Sequence, residues 1–299
     1  MESYQSDKLR EYIEKSELVV VGANLRLRLS KEMLENYNQG LYNAELAVML
    51  EHVGLITDLG IKYPAAAKPI FYVYVVPTDN FRELLNLPTY RNYSAGGKAV
   101  NSYDLDGFNV AYGISENVLI GLKKQTAMRI VSNIHELAHP VHSMFFTPDV
   151  NTFLCEGFAE CLPLYTMDYE SVFDEHREML KTLTDKQILS ANELINLAHK
   201  NNFDAGVILP GKSCAFDISY ISSYLFVRGC LEAIETKFNL DRIGATQKFL
   251  EIVKFSMCTQ QYLVYDIADV LGISRDELLD GKEMQFRVIE GLSAPRTRG

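Results

Sequence analysis

The chain reads as an α+β protein, with a mixed β-sheet in its amino-terminal third and helices over most of the remainder. Three observations lead there. Short β-branched and aromatic runs alternate with helical patterns up to about residue 122; from Lys123 on, apolar residues recur mostly at helical spacing; and no internal repeat or low-complexity segment interrupts either part. With 299 residues, 47% apolar and 23% charged, and with 17 tyrosines and 15 phenylalanines, the chain can bury a sizeable core.

The elements follow in order. Leu18 to Ser30 alternates apolar and basic residues from Asn24 on and predicts one strand with a wet face. Lys31 to Gly60 predicts helix, broken at Gly40. Pro69 to Val76 is a strand between prolines, and Thr78 to Leu87 opens with a capping Thr-Asp and predicts a short helix. Tyr90 to Gly107, rich in Asn, Gly, Ser and Asp, reads as a long surface loop. Strand character returns at Phe108–Gly113 and Asn117–Gly121. Helices are expected over 125–146, 152–166, 171–183, 185–201, 217–238, 240–256 and 274–290. The division is 1–122, a sheet subdomain, and 123–299, a helical one. No flexible linker marks the join, so one compact unit is expected.

Charge narrows the function. Against 29 Lys and Arg stand 39 Asp and Glu, a net −10, and no basic run exceeds Lys123-Lys124. Phosphate-backbone binding needs clustered cations. The segment 266–278 has the Ala and Gly offsets of a helix-turn-helix. From Tyr262 to Glu290, however, it carries seven acids and three bases, so it reads as a helical hairpin and no nucleic-acid partner is expected. No apolar window is long enough for a membrane span, and the run Leu18–Val21 is too short for a signal-peptide core. Five cysteines without a CxxC pair read as reduced thiols of a cytoplasmic protein.

Three of the six histidines fall within His135-Glu136-Leu-Ala-His139-Pro-Val-His142. Two His at i and i+4 share a helix face and can reach one ion, while Glu136, about 100° round, can touch a water on that ion without ligating it. A polar motif in a helix this apolar (Ile130, Val131, Ile134, Leu137, Ala138) is costly to bury without partners. A catalytic zinc, one per chain, needs a third protein ligand and an open position. Thr152-Phe-Leu-Cys-Glu156-Gly-Phe-Ala-Glu160 supplies one. Asn151 and Thr152 suit a helix start after the Pro148-Asp149 turn, which puts Glu156 in its first or second turn as the candidate ligand. Glu160, one turn on, is the candidate hydrogen-bond partner of a ligand imidazole. Pro140 should kink or end the helix, which places His142 beyond regular geometry and makes it only a backup ligand.

The HExxH motif followed by FLCEGFAE resembles the gluzincin metallopeptidases, in particular the aminopeptidase-N-like branch of the thermolysin-like superfamily, whose WLNEGFAE stretch carries the third zinc ligand. Phe153 replaces the Trp and Cys155 the Asn. Tyr220-Ile-Ser-Ser-Tyr-Leu-Phe-Val-Arg228 is similar to the Y-x-x-(A/G)-x-S-F-V-R helix of that superfamily, with Leu225 in place of the Ser. The resemblance implies that Tyr220 stabilises the oxyanion, with Tyr224 as backup. It further implies a thermolysin-like catalytic domain, a peptide or protein substrate, and hydrolysis by a zinc-activated water with Glu136 as general base. Gly113-Ile-Ser-Glu116-Asn117 looks like the GxMEN segment that holds a substrate amino terminus, with Ser115 in place of Met. An edge strand over 108–114, with Ala111 and Gly113, would then present backbone groups to an extended peptide. The metzincin pattern fails at His142 and Phe145. Aminopeptidase and endopeptidase activity both stay open, as does the oligomeric state. The alternative is a gluzincin-like peptide-binding protein without turnover.

Overall fold

A computed structural model describes residues 11–12, 14–63, 70–77, 97–101, 110–115, 119, 127–145, 152–169, 178–199, 218–254 and 260–293. The architecture is α+β. It divides into two compact units, residues 1–144 and 145–299.

The first unit holds the sheet. Its strands are β1 (Glu17–Val20), β2 (Leu25–Leu29), β3 (Phe71–Val76), β4 (Gly97–Asn101) and β5 (Val110–Ser115). They lie in the order β1-β2-β3-β5-β4. The predicted single strand 18–30 is therefore a hairpin: β1 turns back at Val21–Asn24 and pairs antiparallel with β2, Glu17 opposite Leu29. The alternation that suggested one strand belongs to β2, where Leu25, Leu27 and Leu29 are buried and Arg26 and Arg28 are half-exposed. β3 is parallel to both neighbours, and Val73 to Val76 are buried throughout, as a central parallel strand requires.

Two expectations on this sheet are corrected. Residues 97–101 form β4, so the stretch 90–107 is not loop throughout. Nor is β5 an edge. Gly113 faces Tyr74 on one side and Lys98 on the other, and Ala111 faces Tyr72 and Val100. Its ladder is used on both sides, so β5 offers no open edge to an incoming peptide. The predicted helix 78–87 lies outside the described residues, as does nearly all of the strand-like run 117–121.

Helices α1 (Lys31–Asn38) and α2 (Asn43–Thr57) follow β2. The Ser30 hydroxyl caps α1 by accepting from the Met33 amide at 3.3 Å. Gly40 breaks the run at φ +75°, where a side chain would be strained. α2 packs against α3 (Ala127–Ser143); Leu46, Met49, Val53 and Ile56 on the one and Val131, Ile134, Leu137 and Val141 on the other are buried.

The second unit is helical: α4 (Thr152–Cys161), α5 (Ala191–His199), α6 (Ile218–Phe238), α7 (Arg242–Lys254), α8 (Gln260–Leu271), α9 (Arg275–Asp280) and α10 (Glu283–Ser293). α6 is its axis, with α4, α5, α7, α8 and α10 packed on it. The predicted helix 152–166 leaves α-geometry at Leu162 for a π-helical turn ending at Thr166. The stretch 185–201 begins with a 3₁₀ turn and becomes α-helical only at Ala191. The helix expected over 274–290 is two, because α9 ends at Asp280 with Gly281 extended at φ −77°, ψ 165°. Of 171–183, only residues from 178 on are described, and α-helix is present at 178–180. α8 and α9 pack together, and Arg275, one of the few bases there, is ion-paired with Asp269 at 2.6 Å. Among the described residues, no helix is long and apolar enough to cross a membrane.

Candidate metal centre

Helix α3 sets out the histidines. It runs from Ala127 through Pro140 to Ser143, as the expected helix over 125–146 would, and does not end at the proline. A proline inside a helix forfeits one backbone bond and strains the preceding turn. Here Val131, Ile134, Leu137, Ala138 and Val141 are all buried, and that burial holds the helix against the loss. His142 is consequently in regular helix, not beyond it.

The helix brings His135, His139 and His142 together. One ring nitrogen of His135 lies within 4.8 Å of one of His139. The two rings stand edge to face, 5.0 Å between centroids and 84° apart. His139 and His142 repeat the arrangement at 5.1 Å and 88°. His139 Nδ1 and His142 Nε2 share a hydrogen bond of 2.8 Å. Glu136 and His135 are half-buried, whereas His139 and His142 are buried. Burial, then the charges His135 and His142 would carry, hold His139 well below the ordinary histidine range. Burial, then His135, pushes His142 down to about 3. Both are neutral imidazoles at neutral pH, and neutral imidazole is the ligating form.

Behind this face, the Asn133 amide donates to His52 Nδ1 on α2 at 2.6 Å, with both side chains buried. The two residues lie 81 apart in the chain, so no local pattern in the sequence marks the pair.

In the second unit, Glu156 and Glu160 are half-buried on one face of α4, between the buried Phe153, Leu154, Cys155, Phe158 and Ala159. Burial, then the nearby Glu156 charge, raises the Cys155 thiol well above its usual value, so it is inert. α4 approaches α6 at Gly157, where a Cβ would come within 2.4 Å of the Ser223 carbonyl oxygen. Phe153 packs edge to face on Phe226 at 5.6 Å, burial worth about 1.5–3 kcal/mol for such a side chain.

The structure separates the two tyrosines. From Ile218 to Leu231, Tyr220 is the one residue of α6 that is not buried. Tyr224 is 1% exposed, and its hydroxyl accepts from Arg228 Nη1 at 2.7 Å. Arg228 also binds Glu232 at 2.9 Å and lies 5.1 Å over the Tyr165 ring. Tyr165 donates to Glu235, and its backbone carbonyl accepts from Arg242. Tyr224 thus belongs to a structural network that the i,i+4 spacing of Tyr224 and Arg228 would have suggested. Ala111 and Gly113 lie in β5, and Glu116 falls outside the described residues.

Comparison of the chain with protein-family models, with curated proteins and with solved structures gave no match.

Proposed function

We propose that the chain is a zinc-dependent metallopeptidase with the architecture of a thermolysin-like catalytic domain. His135, His139 and Glu156 would hold one Zn²⁺. Each offers one ligand atom, two imidazole nitrogens and a carboxylate oxygen, and this donor set suits zinc with one position left for water. The observation that carries the reading is the paired histidines one turn apart on α3, with Glu136 beside them on the same helix.

Bound zinc supplies two things: it lowers the pKa of a coordinated water toward about 7, and it polarises the scissile carbonyl. The chain's own groups do the rest. Glu136 takes the proton of the attacking water and passes it to the leaving amine. The Tyr220 hydroxyl donates to the carbonyl oxygen as that atom gains charge. A cytoplasmic setting belongs to the same proposal, and the buried free thiols Cys155, Cys161 and Cys230 suit it.

The test is Glu136→Gln. It should bind zinc as the parent does and lose about 10²–10⁴-fold in peptide turnover. Unchanged turnover overturns the hydrolase reading. Zinc uptake by the parent with no cleavage of any peptide in a library supports a binding protein instead. Acetylating the amino terminus of a cleaved peptide then separates aminopeptidase from endopeptidase, since only the former stops.

A further inference from the structure

We propose that His142 is the positioning residue that fixes His139 in its ligating tautomer. The inference rests on the zinc reading above. His139 and His142 are three residues apart in one continuous helix and so share a face. Their hydrogen bond runs between His139 Nδ1 and His142 Nε2 at 2.8 Å, with the side chains 5% and 2% exposed.

A neutral imidazole has one N–H and one acceptor nitrogen, so this bond admits two arrangements. In the first, His142 donates from Nε2. His139 then accepts at Nδ1 and carries its proton on Nε2, which closes that nitrogen to a cation. In the second, His139 donates from Nδ1, its Nε2 lone pair is open, and His142 holds its own proton on Nδ1. Only the second serves a ligand. The tautomer of His142 therefore decides whether His139 can bind metal, and a cation on His139 selects the tautomer of His142 in return. His142 cannot ligate through Nε2, because that nitrogen is spent on His139. The device depends on α3 running past Pro140, since a helix that stopped there would not hold residue 142 one turn from residue 139.

The bond also differs from the arrangement in which a carboxylate backs a ligand histidine. An imidazole acceptor is neutral, so it orients the ligand ring without adding negative charge behind it.

The experiment titrates zinc into the metal-free full chain in competition with a chromophoric chelator, for the parent, His142→Gln and His142→Met. A Gln side chain can carry a carbonyl oxygen to the place of Nε2 and accept, whereas Met fills similar space with at best a weak acceptor. His142→Met should bind zinc about 10–100-fold more weakly, the range typical of losing such a partner, and His142→Gln should recover most of that loss. Equal affinity in the parent and His142→Met overturns the inference and leaves the zinc reading standing. A parent that takes up no zinc overturns the zinc reading, and this inference with it. Should His142→Met fail to fold, long-range ¹H–¹⁵N spectra of the zinc-loaded parent decide. Protons on Nδ1 of both His139 and His142 are expected, and a proton on Nε2 of His142 overturns the assignment.

Discussion

Gly157 lies so near Ser223 that a Cβ on the glycine would stand 2.4 Å from the serine's carbonyl oxygen and 2.7 Å from Val227 Cγ2. The closest neighbour is backbone and cannot swing aside, so α4 and α6 would have to separate. Gly157→Ala should therefore destabilise the protein by about 1–3 kcal/mol, the usual cost of overpacking. Gly54, inside α2, is the control: nothing lies within 4 Å of a Cβ there. Gly54→Ala should be neutral or stabilise by about 0.4–1 kcal/mol through the unfolded chain. Denaturant unfolding of the two variants checks the contrast. Equal stabilities would show that the helices do not approach as described.

Tyr220 and Tyr224 should give opposite phenotypes. Tyr224→Phe strips a buried guanidinium partner and should cost about 1–3 kcal/mol of stability. Tyr220→Phe should unfold like the parent yet lose about 10²–10³-fold in turnover, as expected for an oxyanion donor. Thermal melts beside steady-state peptide cleavage distinguish them. If Tyr220→Phe cleaves at the parental rate, its assigned role is wrong.

His52 gives a pH dependence of stability. Burial holds its pKa below 6.5, with Glu51 opposing more weakly. The unfolded chain therefore takes up a proton near pH 6.5 that the folded chain does not. The stability linked to His52 is complete above that pH and declines as pH falls from there toward the folded pKa. His52→Gln removes this titration, so its unfolding free energy should fall less steeply between pH 7.5 and 5.5 than the parent's, by less than about 1.4 kcal/mol per pH unit. Parallel slopes would contradict the assignment.

Removing metal should lower the melting temperature. A cation that binds only the folded chain stabilises it by about 4 kcal/mol at a free concentration about 1,000 times Kd. Melts with and without a strong chelator should differ for the parent and coincide for His135→Ala and His139→Ala. A parent melt indifferent to chelation argues against a bound ion.

Much of this was legible in the residues. HExxH spacing on an apolar helix placed His135, Glu136 and His139 correctly on α3, because a period of 3.6 ties sequence offsets to faces. Glu156 likewise falls in the second turn of α4. What failed was context. Pro140 left open whether the helix would kink or end there, because its local cost is real, yet the buried helix runs on to Ser143. The hairpin of β1 and β2 read as one strand because its turn is short and its flanks are equally apolar. The edge position given to β5 was lost when β4, hidden in a Gly- and Asn-rich stretch, proved to be a strand. Pairing partners in a sheet are set by non-local contacts, which no local pattern encodes.

The strand order has a consequence for synthesis. Among the described residues β5 is the last strand in the chain, yet it is inserted between β3 and β4, both made before it. Until the ribosome has passed residue 115, β3 and β4 each have an open side and no mutual ladder. β5 joins β4 to the rest of the sheet, and helix α3 begins only twelve residues after it, at Ala127. The joining of β3 to β4 through β5 and the emergence of the histidine helix are thus nearly one event.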